Sequence, residues 1–135
     1  MSDIANLQPA EVWKYFAEIL KIPRPSKKEE KIIEYLVSFG KKNNLETSRD
    51  EAGNVLIRKP ATKGMENREP VVMQSHIDMV CEKNSDVIHD FNVDPIQAYV
   101  DGNWVKAKGT TLGADDGIGV AAQLAILASS NIKHG

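Results

Sequence analysis

Cysteine is nearly absent: Cys81 is the only one among 135 residues. An intramolecular disulfide is therefore impossible, which removes the small secreted disulfide scaffolds and fits a reducing compartment. Long hydrophobic runs are missing too. The stretch from Ile118 to Ala128 is the longest, is broken by Gly119 and Gln123, and falls short of the ~20 residues that span a bilayer. The first ten residues lack the basic segment and apolar core of a secretory signal. Neither sign of charge dominates, with 17 Lys plus Arg against 19 Asp plus Glu and a formal net charge of -2. No broad positive field awaits a nucleic-acid backbone. Internal repeats and low-complexity tracts are also absent. These absences leave a soluble cytoplasmic protein with neither nucleic acid nor membrane as a partner. At this length a folded chain buries about 68% of the surface its unfolded form exposes, so a single domain over residues 1–135 needs no metal or disulfide merely to hold a core.

What is present patterns into helices and short strands. From Pro9 to Ile22 the residues Val12, Trp13, Phe16, Ile19 and Leu20 recur at helical spacing, with Pro9 where a first turn tolerates it. The Pro23-Arg24-Pro25 segment stops this helix. A second helix is expected after Ser26, which stands in capping-box spacing with Glu29, and Ile32, Ile33, Leu36, Val37 and Phe39 form its buried stripe. Two hairpins follow from their turns: 46–50 with 55–58 around Glu51-Ala52-Gly53-Asn54, and 96–100 with 104–106 around Asp101-Gly102-Asn103. The polar stretch 60–69 is an exposed loop. Val71-Val72-Met73-Gln74, after Pro70, reads as a strand buried on both faces. Gly109 to Gly113 is a loop and Gly117 to Ser129 a helix. The order predicts an α/β fold with helices packed on a mixed sheet.

Two segments carry chemistry. In Ser75-His76-Ile77-Asp78, residues two apart on an extended chain point the same way, so His76 and Asp78 project together from a strand end. A carboxylate beside an imidazole fixes its tautomer and raises its basicity as a metal ligand. Alone, His-x-Asp is more commonly a half-buried histidine bonded to an aspartate. The second segment runs from Gly109 to Gly119 and sets Asp115-Asp116 among glycines at a helix start, where negative charge is favoured. There an N-cap is the simpler alternative. A phosphate loop is disfavoured by the adjacent carboxylates and the missing Gly-Lys-Ser/Thr ending. Taken together, a histidine and a later carboxylate make half of a mixed N/O site suited to zinc or another divalent ion.

The sequence here resembles a known family. His76-x-Asp78 followed by Gly113-Ala-Asp115-Asp116-Gly117 is similar to the N-terminal part of the dinuclear zinc peptidases, which include carboxypeptidase G, aminoacylase and cytosolic dipeptidases. Residues 23–30, 50–54, 74–80 and 109–117 most resemble the branch that hydrolyses Xaa-His dipeptides. The resemblance implies that His76 ligates one of two zinc ions and that Asp115 bridges both. Asp78, counted with the catalytic residues, would orient His76. Asp116 receives no direct ligation. The implied reaction is hydrolysis of a dipeptide by water that the ions activate, with a glutamate as general base. A cis bond between Asp115 and Asp116 is also implied, with relaxation to trans expected without metal.

One departure stands out. In the family, a Glu pair, a further acidic ligand and a second histidine follow the bridging aspartate, whereas this chain ends at Gly135 and its Glu29-Glu30 pair precedes His76. These residues are accordingly expected to be the N-terminal portion of a longer catalytic domain, inactive by themselves and supplying about half of four zinc ligands. A non-catalytic metal-binding or interaction module is the alternative. His89 and His134 are expected in loops or at the surface, Cys81 as a small buried side chain, and Asp86, Asp90 and Asp94 as no cation loop.

Overall fold

The computed structural model describes residues 3–135; Met1 and Ser2, which head the segment without a signal pattern, lie outside the described residues. A short 3-10 helix, Asp3–Asn6, leads into α1 (Ala10–Ile19) and α2 (Glu30–Lys42). Two hairpins come next, β1 (Glu46–Arg49) with β2 (Val55–Arg58) and β3 (Ala98–Asp101) with β4 (Trp104–Ala107), and α3 (Ala114–Ala128) closes the order. No described helix is long and apolar enough to cross a membrane.

The core is a helix pair before it is anything else. Phe16, Ile19 and Leu20 from α1 and its end pack in one cluster with Val120, Ala121 and Leu124 of α3, and Ile4 of the 3-10 helix joins them. Ala121 is wholly buried, and its small side chain lets the two helices approach. The stripe of α2, Ile32, Leu36 and Phe39, enters the same cluster. An edge-to-face contact between Tyr15 and Phe39, with centroids 5.6 Å apart, ties α2 to α1. Tyr35 donates to Glu18 Oε2 at 2.6 Å, and burial, then this bond, raises the phenol's pKa far above its ordinary value.

Both hairpins form as their turn residues predict. In the first, Glu46 stands opposite Arg58 and Arg49 opposite Val55, and Asp50 closes the turn by accepting the Asn54 amide at 2.8 Å. In the second, Asp101 stands opposite Trp104, and Gly102 supplies the positive φ of +58° that the two-residue turn requires. Helices and strands together make the predicted α/β composition, with the strands as two antiparallel pairs among the described residues rather than in one mixed sheet. The parallel pairing found is an isolated bridge between Pro25 and Met79.

Two local expectations need correction. Residues 71–74 form no described strand, and Val71 and Val72 are 82% and 86% exposed instead of buried. A strand needs a neighbour as well as an apolar sequence, and none of the described residues lies beside this one to pair with it. The capping box is not made either. Helix α2 starts at Glu30 after a turn with Lys27 at φ +68°, Glu29 accepts the Lys27 amide, and the Ser26 hydroxyl goes elsewhere.

Where α2 meets β1, Gly40 lies against the Thr47 side chain so closely that a Cβ at position 40 would overlap Thr47 Oγ1 and approach its Cβ to 2.9 Å. Alanine is intrinsically about 1 kcal/mol better than glycine inside a helix. Gly40→Ala is nonetheless expected to destabilise the protein by about 1–3 kcal/mol through overpacking, with partial recovery in Gly40→Ala/Thr47→Ala, as measured by urea unfolding.

Candidate metal centre

Alternation along residues 75–79 places the first site residues. Ile77 packs against the core and Met79 is 4% exposed, so His76 and Asp78 are turned to the other side. The segment is pinned at both ends: Ser75 Oγ donates to Gln123 Oε1 of α3 at 3.0 Å, and the Met79 amide donates to the Arg24 carbonyl at 3.0 Å.

The glycine-flanked loop is stitched to the chain that follows Met79. The Thr111 amide donates to Glu82 O at 2.8 Å, its hydroxyl donates to Val80 O at 2.7 Å, and the Asn84 amide donates to Gly109 O at 2.9 Å. Gly113, at φ +73°, then turns the chain into α3. Asp115 and Asp116 depart from helical φ and ψ, so regular helix begins after them. The bond between them is cis, as the resemblance implies and against the expected relaxation to trans. Neither aspartate acts as a side-chain cap. Asp116 folds back over Gly119, close enough that any Cβ there would strike its carboxylate.

These two segments converge on His76. Its Nδ1 is 3.1 Å from Asp78 Oδ1 and its Nε2 is 3.0 Å from Asp115 Oδ1. A carboxylate at each ring nitrogen raises the imidazole pKa, the Asp115 hydrogen bond contributing most. Only the doubly protonated ring can donate to both; a neutral ring donating through Nδ1 to Asp78 would present the Nε2 lone pair beside Asp115. The Asp115 side chain is 97% exposed, so its remaining lone pairs are open. Imidazole nitrogen and carboxylate oxygen side by side suit zinc or a similar divalent ion, as two members of a larger ligand set. Among the described residues no group of three or more His, Cys, Asp or Glu is arranged to hold a metal ion.

Two residues not singled out by their chemistry support this convergence. Ser26 donates to Asp78 Oδ2 at 2.6 Å. That bond, ahead of the one from His76, holds the Asp78 carboxyl below its ordinary pKa. Arg24 is 2% exposed. Its Nη1 donates to the carbonyls of Ile77 and Asp78 at 3.1 and 3.0 Å, and its Nη2 to the Gly113 carbonyl at 2.5 Å. Burial lowers its pKa, opposed by the nearby Asp78 charge. A capping-box pattern disguised the role of Ser26, and nothing in the sequence around Arg24 distinguishes it from a surface arginine except its place between two prolines.

The other candidates stay apart. Glu30 forms a forked pair with Arg49 at 2.6 and 2.8 Å, and neither it nor Glu29 joins the site. His89 stacks edge-to-face on Phe91, and His134 Nδ1 lies 2.8 Å from the Gly135 carbonyl. Burial pushes the Cys81 thiol pKa up, the opposite of nucleophile activation. Asp90 and Asp94 accept bonds from loop amides rather than facing a common point.

The Ser26 bond has a pH signature. A depressed folded pKa at Asp78 contributes stability that is present above the ordinary carboxylate value and lost as pH falls through the folded value. Ser26→Ala is expected to cost about 0.5–1 kcal/mol at pH 7, where Asp78 is partly solvent-screened. The difference from the parent should shrink as the pH is lowered through 4 toward 3 (roughly the ordinary Asp range), read from urea unfolding at each pH.

No protein-family model matches the chain. It is 57% identical over all 135 of its residues to the cytosol non-specific dipeptidase of Escherichia coli (strain K12), of which it spans 28%. A crystal structure of aminoacylhistidine dipeptidase from Vibrio alginolyticus superposes with a TM-score of 0.97 at 57% identity, over 99% of this chain and 27% of that one. A tripeptidase structure from Staphylococcus aureus shares the fold at a TM-score of 0.68 and 22% identity, over 93% of this chain and 34% of that one. Along its whole length, therefore, the chain is homologous to part of the aminoacylhistidine and cytosol non-specific dipeptidases and has the fold of that part.

Proposed function

We propose that these residues form part of the catalytic domain of a metal-dependent dipeptidase, that His76 and Asp115 ligate zinc or another divalent ion there, and that the complete protein hydrolyses Xaa-His dipeptides in the cytosol. The observation that carries the proposal is His76 held between two carboxylates, with Nδ1 at Asp78 and Nε2 at Asp115. Likeness to dipeptidases over the full chain supports it.

A divalent ion bound here supplies Lewis acidity for peptide hydrolysis. The protein's own groups do the rest. Asp78 accepts the Nδ1 proton of His76, which selects the tautomer whose Nε2 faces Asp115 and makes that nitrogen a better donor. Ser26 keeps Asp78 in the required rotamer and ionised. Asp115, exposed beyond the turn at Gly113, has a free oxygen for a second ion, which suits the bridging role of the family.

The names of the two relatives differ in breadth, one non-specific and one for aminoacyl-histidine substrates. The full-length protein should therefore be assayed with β-alanyl-histidine and with dipeptides lacking histidine, before and after chelation and zinc reloading. Hydrolysis that follows zinc content is expected. His76→Ala and Asp115→Ala should each lower activity and bound zinc by at least about 10²-fold while leaving the unfolding midpoint of the metal-free protein nearly unchanged. Full activity in Asp115→Ala would refute the bridging assignment. Cleavage of other dipeptides without β-alanyl-histidine would refute the substrate class.

A further inference from the structure

His76 and Asp115 lie 39 residues apart in sequence and both are exposed, with side-chain accessibilities of 48% and 97%. Beyond their own hydrogen bond, their 3.0 Å approach depends on what holds the two backbones together. The Thr111 bonds reach only Val80 and Glu82, well past His76. Beside the Ser75–Gln123 bond, which ties the histidine segment to α3 further along the helix, one side chain binds the main chain next to both residues. Arg24 Nη1 binds the carbonyls of Ile77 and Asp78, directly after His76, and Nη2 binds the carbonyl of Gly113, two residues before Asp115.

The surroundings are built around this guanidinium. A Cβ at Gly113 would stand 2.5 Å from Nη2, and one at Gly117 would stand 2.7 Å from it. Both sites are therefore closed to side chains unless the guanidinium moves. The Arg24 main chain adds to the joint, since its carbonyl takes the Met79 amide and Pro25 forms the parallel bridge to Met79. A planar fork with several fixed donors can hold carbonyls on two strands of chain at once; a lysine ammonium, a single point, cannot keep the same spacing.

We propose that Arg24 is a positioning residue that sets the distance between His76 and Asp115 by clamping the backbone carbonyls of Ile77, Asp78 and Gly113. In its metal aspect the proposal rests on the reading of His76 and Asp115 as ligands. The clamp itself can be tested without metal.

Arg24→Lys, Arg24→Met and Gly117→Ala should be made in the full-length protein, with Arg49→Met as a surface control. Gly117 has no positive φ, so Gly117→Ala displaces the guanidinium without deleting it and serves where Arg24→Met does not fold. In metal-free protein, ¹⁵N NMR of the His76 ring reads the geometry directly. The Nε2 shift is expected to relax to that of a solvent-exposed ring in the three variants as Asp115 moves away, while Nδ1, facing Asp78 on the same segment, keeps its bonded value. In the presence of metal, zinc affinity by chelator competition should fall about 10- to 100-fold, and the visible spectrum of the cobalt form should change. Arg24→Met/Gly117→Ala should be no worse than Arg24→Met alone. Unchanged Nε2 shifts, or equal loss at both nitrogens, would overturn the clamp and leave Arg24 a general core residue. A parent protein that binds no zinc while the Nε2 response persists would refute the metal reading alone.

Discussion

A guanidinium buried to 2% exposure without a carboxylate among its hydrogen-bond partners is the constraint around which the loops of this protein are arranged. Removing a charge from water carries a penalty of several kcal/mol. Three bonds to carbonyls, at about 1.5–3 kcal/mol each for a charged donor, recover a comparable amount. Arg24 therefore contributes little net stability by itself. Its removal is another matter, because it would leave the part-buried carbonyls of Ile77 and Asp78 without this donor and the Gly113 carbonyl with the Gly117 amide alone. What the arrangement secures is geometry. Two chain segments that share no strand pairing at that point are held at a fixed spacing by a rigid planar group.

The helices supply the floor for that joint. The packing of α1 on α3 fixes where α3 begins, and Gln123 on α3 receives Ser75, so one helix positions the histidine segment by its side chain and the aspartate segment by its first turn. The chain leaving α1 turns through Pro23-Arg24-Pro25 and is bonded to Met79. Site residues thus stand on loops, but each loop is tied to a helix or to another loop within a few residues of the chemistry. This is the usual way for an exposed site to be kept precise.

The parts legible in the sequence were those set by local rules. Helical spacing of Phe16, Ile19 and Leu20, and of Ile32, Leu36 and Phe39, places the core stripes, and Gly53 and Gly102 mark the hairpin turns by the φ they allow. Period-two alternation correctly puts His76 and Asp78 on one side. What sequence spacing cannot carry is partnership across the fold. Asp115 lies 39 residues from His76, and only similarity of motif joined them. Ser26 stood in cap spacing yet bonds Asp78, 52 residues on, because the turn at Lys27 delays the helix. Arg24 could not be found at all, since its three acceptors are main-chain carbonyls and leave no mark in residue type.

The exposed run before the site has a consequence for the chain's behaviour in solution. Val71 and Val72 are almost fully exposed, Met73 is 40% exposed, and among the described residues no main-chain hydrogen bond involves residues 71–76. Such a stretch offers main-chain groups without main-chain partners among the described residues, and the β-branched side chains of Val71 and Val72 favour strand pairing. These residues by themselves, at high concentration, will therefore tend toward self-association through this stretch rather than through the charged faces of α2. Salt, which screens charge and strengthens apolar contact, will promote it. Colloidal behaviour and site geometry meet within a few residues, because the same run of chain that exposes Val71 and Val72 goes on to carry His76.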